Sequence, residues 1–105
     1  MGRRFGILVL GLLPACGPAI TPDFDSPEPA ARNAAAVRAA AADDKTSIRD
    51  LVRLLDSDDP ATRLIAINAL ERLTGTTLGY DHAAPEPERR AGAARWADYV
   101  RKETP

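Results

Sequence analysis

The sequence predicts an all-α protein, a small antiparallel helical bundle, on three observations. Ile48, Leu51, Val52 and Leu55 recur at the i, i+3, i+4, i+7 spacing that lines one face of a helix, and Ala66, Ala69, Leu70 and Leu73 form a second such stripe. Ala93, Trp96, Ala97 and Val100 form a third. Ala30 to Ala42 holds nine alanines, the residue with the highest helix propensity. The boundaries that follow are residues 1–15 as a leader, 16–29 as a tether, 30–44 as an alanine-rich helix and 45–104 as the main helical domain.

Taken in order, the chain starts with Arg3 and Arg4, the apolar run Phe5 to Leu13, and a small residue before Cys16. These are the parts of a secretory signal peptide. The apolar run falls well short of the roughly 20 residues a membrane span needs. Leu13-Pro14-Ala15-Cys16 resembles a bacterial lipobox, with Leu13 and Ala15 at the selective positions and Pro14 at the tolerant one. The resemblance implies cleavage before Cys16, attachment of diacylglycerol to its sulfur, and acylation (palmitate) of the new N-terminus. Two or more acyl chains give stable membrane attachment where one is marginal. The expected location is therefore the cell envelope, on the extracytoplasmic side. Gly17 rather than aspartate after the cysteine leans towards the outer membrane by the enterobacterial sorting rule.

Cleavage would leave 90 residues, with 12 basic against 15 acidic side chains, for a formal charge of -3. That is one small domain with a modest core. Such a balance attracts neither nucleic acid nor an anionic lipid surface, both of which require clustered Lys and Arg. A single cysteine excludes an intrachain disulfide.

Gly17 to Pro29 carries four prolines and hardly any apolar periodicity. Such a segment cannot offset its ordering entropy by burial, so it reads as an extended tether of roughly 30 to 40 Å. In the alanine-rich helix, Ser26 and Pro27 supply a cap and a first-turn proline, and Ala30, Ala34, Val37 and Ala41 make a weak stripe. Whether this helix lies on the domain or projects from it stays open.

The second helix has Asp44 or Thr46 as its cap, with Arg49, Asp50 and Arg53 on its polar face. After the turn Asp56-Ser57-Asp58-Asp59, Pro60 suits the first position of the third helix, with Asp58 or Asp59 capping. Leu64, Ile65 and Ile67 widen the apolar stripe of this helix, and Gly75 suits a left-handed stop. The final helix, Glu86 to Lys102, has Glu86 and Glu88 in its first turn and Arg101 and Lys102 in its last, matching its dipole. Leu78 and Tyr80 in the preceding loop are available to pack beneath it.

Leu51 to Leu73 resembles a HEAT repeat: paired leucines, the acidic turn Asp58-Asp59, then Pro60 and Arg63, and Ala66 with Ala69-Leu70 in the second helix. Thr62 stands where the family usually has valine. Leu73-Thr74-Gly75, Gly79-Tyr80-Asp81 and Trp96 are similar to a C-terminal extension of bacterial HEAT-like proteins. The resemblance implies an antiparallel helix pair, a contact between Asp59 and Arg63, and a binding or scaffolding role without catalysis. One repeat cannot cover its own apolar stripes. The C-terminal helix is the expected cover.

The expected core is Leu51, Leu55, Ala66, Leu70, Leu73 and Trp96, and Tyr99, one step off the last stripe, is the candidate for an exposed partner contact. Catalysis lacks a constellation. His82 is the one histidine, and a metal or hydrolytic site needs converging partners for it. Asp56, Asp58 and Asp59 lack the glycine and twelfth-position glutamate of a calcium loop, and Gly75 and Gly79 lack the lysine of a phosphate loop. The expectation is a non-enzymatic, lipid-anchored module with a protein partner, and with no cofactor, metal or small-molecule substrate. The alternative is an accessory subunit assembled permanently into a larger envelope complex.

Overall fold

The computed structural model describes residues 19–103, and within them all regular structure is helical. The order is α1 (Pro29–Ala41), a 3-10 turn (Lys45–Ser47), α2 (Ile48–Leu54), α3 (Pro60–Thr74) and α4 (Glu86–Glu103).

Helix α1 starts with Glu28 at the N-cap and Pro29 in the first turn, two residues later than Ser26 and Pro27 would have started it. Ser26 is used just upstream, where its hydroxyl accepts from Glu28 N and its carbonyl accepts from the Arg32 guanidinium at 2.7 Å. The helix packs most extensively on α3. Its buried face is Ala31, Ala35, Ala36 and Ala39, whereas Val37 of the expected stripe is 56% exposed. A helix that is alanine on nearly every side has no strong preference of its own for which face to bury. The choice falls to α3, whose Ala66 and Ala69 let the two backbones approach, so that Ala36 is fully enclosed. Helix α1 therefore lies against the helices that follow Lys45 rather than projecting from them.

Part of the expected tether is also packed. Asp23 N donates to the Ala31 carbonyl at 3.1 Å, Asp25 pairs with Arg53 at 3.3 Å, and Phe24 lies half-buried against the core. Phe24 is the apolar residue that anchors this strap.

Asp44, rather than Thr46, opens the next element. Its carboxylate accepts from Thr46 N at 3.0 Å, from the Thr46 hydroxyl and from the Ser47 hydroxyl, and these bonds hold its pKa below the ordinary carboxylate value. Helix α2 then buries Leu51, with Leu54 and Leu55 at its end, while Ile48 and Val52 are half-buried. Helix α3 has Asp59 as N-cap, accepting from Ala61 N, and Pro60 in its first turn. It ends at Gly75 with φ 86°, a left-handed conformation that costs glycine nothing. Its core side carries Thr62, Ala66, Ile67, Ala69, Leu70 and Leu73, and Leu64 faces out. Helix α4 seats on α2 and on the loop before it, burying Gly92, Trp96 and Val100. One apolar cluster joins Ala36 of α1, the leucines of α2 and α3, Tyr80 and Trp96.

Candidate functional site

Leu13, Pro14, Ala15 and Cys16 lie outside the described residues. Elsewhere each expected site residue has a definite place. Leu51, Leu55, Ala66, Leu70, Leu73 and Trp96 are all buried in the single cluster. Trp96 is closed off entirely, and its indole N–H donates to the Thr77 carbonyl at 2.8 Å. Tyr99 is half-buried and sets its ring edge-on to Trp96, centroids 5.2 Å apart. It is therefore part of the α4 packing as well as of the surface.

The expected side-chain contact between Asp59 and Arg63 is absent, and the two meet only through the backbone, where Arg63 N donates to the Asp59 carbonyl at 3.1 Å. Asp59 spends its carboxylate on the start of α3, where it accepts from Ala61 N at 3.0 Å. Arg63, one turn further along, reaches back to the Ser57 carbonyl at 2.9 Å. The capping geometry holds the acid at the helix end, and the arginine takes the nearest carbonyl of the turn.

Several residues that organise this region carry no periodic signal. The fully buried Thr62 hydroxyl donates to Asn33 Oδ1 at 2.7 Å, tying α1 to the start of α3. A valine there could make no such bond. Tyr80 is buried, and its hydroxyl donates to the Leu55 carbonyl at 3.0 Å, supplying a partner at the end of α2 where helical amides run out. Burial pushes the Tyr80 phenol pKa up, with Arg63 and Arg89 acting against that and Asp56 and Asp81 adding to it. Gly92 lets α4 come this close, because a Cβ there would stand 2.9 Å from the Tyr80 ring and 3.0 Å from its Cα.

The loop carbonyls are read by α4 in succession. Trp96 takes that of Thr77, Arg95 Nε takes that of Leu78 at 2.6 Å, and Arg95 Nη2 takes that of Gly79 at 3.2 Å. These bonds hold Leu78 at φ 51°, a left-handed conformation that a branched side chain rarely adopts.

Two concavities stand out. Between α1 and α3 runs an apolar groove of about 270 Å³, with Ala36, Val37, Ala40, Ile65 and Ala69 among its walls. At the α2–α3 turn and the start of α4 lies a cavity of 250 Å³ lined by charged side chains. His82 is half-buried in the loop, and among the described residues no three His, Cys, Asp or Glu side chains converge as metal ligands would. No helix among them is long and apolar enough to cross a membrane. No protein-family model, curated protein or solved structure matches this chain.

Proposed function

We propose that this chain is a lipid-anchored, non-enzymatic HEAT-like module, an antiparallel helix pair closed by α4, that holds a protein partner at the bacterial cell envelope. The observation that carries the partner role is the α1–α3 groove: Val37 is 56% exposed and Ile65 half-buried beside a row of alanines, on a helical face that no other element among the described residues covers. Small residues on a helical face admit another helix closely, and the aliphatic area supplies the driving force. The anchor role rests on Leu13-Pro14-Ala15-Cys16, which resembles a lipobox.

Each half has its own test. Cys16→Ala should abolish labelling by fatty-acid analogues and leave the precursor uncut, and equal labelling of variant and wild type rules out the anchor. For the partner, in-cell photo-crosslinking from position 41, an exposed residue at the groove's edge, followed by affinity capture should give one discrete adduct that Val37→Glu removes. Adducts that are absent, or unchanged by that substitution at equal protein level, rule out the groove as the partner face. If the isolated chain without its lipid is molten and binds hydrophobic dyes, the accessory-subunit alternative takes precedence.

A further inference from the structure

Arg63 is 8% exposed, yet among the described residues no carboxylate forms an ion pair with it. Its Nη1 donates to the Ser57 carbonyl, and its buried Nε has no acceptor among the described residues. A buried charged donor in this condition is costly and rare, which points to an acceptor that arrives from outside.

The same 250 Å³ cavity is lined by Arg63, Arg89 and Arg90. Arg89 is half-buried and pinned by its own bond to the Ala84 carbonyl at 2.7 Å. Two guanidinium groups held by backbone carbonyls lose little rotamer freedom on binding, and each keeps further N–H groups for a ligand. The charge of Arg90 is already matched by Glu86 at 2.6 Å. Asp56 and Asp58 stand exposed in the lining, where water screens them more than it screens Arg63.

We infer that this cavity is a binding site for a single carboxylate of another polypeptide, received by Arg63 and Arg89. The flanking aspartates select against a second negative charge, so a carboxylate suits the site better than a phosphate dianion. The volume admits a side chain or a chain end and no folded surface. The site shares no residue with the α1–α3 groove and does not depend on the function proposed for it.

The test is a two-dimensional NMR titration of the full-length chain in detergent, observing the arginine Nε–Hε signals. Three peptides serve as probes: triglycine with a free C-terminal carboxylate, N-acetylated triglycine amide, and N-acetylated Gly-Glu-Gly amide. The expected result is a shift of the Arg63 and Arg89 signals and of the amides of residues 56–58 with a carboxylate-bearing peptide, and none with the fully capped triglycine. A response to the free chain end identifies a C-terminus as the source, and a response to the glutamate peptide identifies an acidic side chain. Arg89→Gln, which leaves the buried Arg63 in place, should weaken binding roughly tenfold with an unchanged circular dichroism spectrum. No shift with either carboxylate at about 10 mM, or equal shifts with the capped peptide, overturns the inference. Inorganic phosphate binding more tightly than either peptide also overturns it.

Discussion

Trp96 carries more of the core than any other single side chain, because its ring is fully enclosed and its N–H is satisfied by the loop carbonyl of Thr77. Truncating a buried tryptophan typically costs about 3–5 kcal/mol, against roughly 5 kcal/mol for a domain of this size. Trp96→Ala should therefore be largely unfolded by circular dichroism at 25 °C, and Tyr99→Ala, which removes a half-buried ring, should melt only moderately lower. A Trp96→Ala chain that melts within a few degrees of wild type would show that the ring is dispensable. Tyr80 makes a pH prediction. Its pKa in the folded chain is raised by burial, so its contribution is fully present below the unfolded value near 10 and is lost as pH rises through the folded value. Tyr80→Phe should cost about 1–3 kcal/mol at pH 7 by orphaning the Leu55 carbonyl, and should flatten the fall in stability above about pH 10. Urea denaturation at a series of pH values checks both limbs. An identical alkaline limb in the two proteins would remove Tyr80 as its cause.

Among the elements, α4 is positioned by contact with the loop as much as by its apolar stripe. Gly92 is the tightest point. An alanine there gains about 1 kcal/mol of helix propensity, but its methyl group would meet the Tyr80 ring and backbone at 2.9 to 3.1 Å, and overpacking costs about 1–3 kcal/mol. Gly92→Ala should therefore lower the melting temperature, whereas propensity alone would raise it. A rise would mean that α4 can slide away from Tyr80 without loss. Part of what positions this loop has no signature in the sequence. Helical spacing places Trp96 inside, and Leu78 and Tyr80 are the loop's apolar residues available to pack under the helix. The capture of three successive carbonyls by Arg95 and Trp96 has no periodicity to announce it, because each bond joins residues 16 to 19 apart in sequence.

For the whole molecule, α1 and the strap before it belong to the packed unit. Ala36 is fully enclosed, and Phe24, Asp23 and Asp25 are held by α1, by Arg53 and by the core. Limited digestion with a broad-specificity protease should leave a resistant fragment that still contains residues 23–102, identified by mass spectrometry. A first stable product beginning near Lys45 would show that α1 detaches readily.

Sequence alone determined what local chemistry dictates: the helical class, the start of α3 at Pro60 behind a capping aspartate, its stop at Gly75, and the burial of Leu51, Leu55, Leu70, Leu73 and Trp96. Capping acts within one turn, and large apolar side chains at helical spacing have one way to leave water. Tertiary structure decided the rest. Alanines do not specify which face of α1 is buried, so contact with α3 chose it and left Val37 outside. The partner that the resemblance implies for the Arg63 side chain is Asp59, and the folded chain gives it the Ser57 carbonyl instead. The burial of Arg63 without an ion pair among the described residues follows from the way the α2–α3 turn and the start of α4 close around it, since the energy of a charge depends on what surrounds it in space.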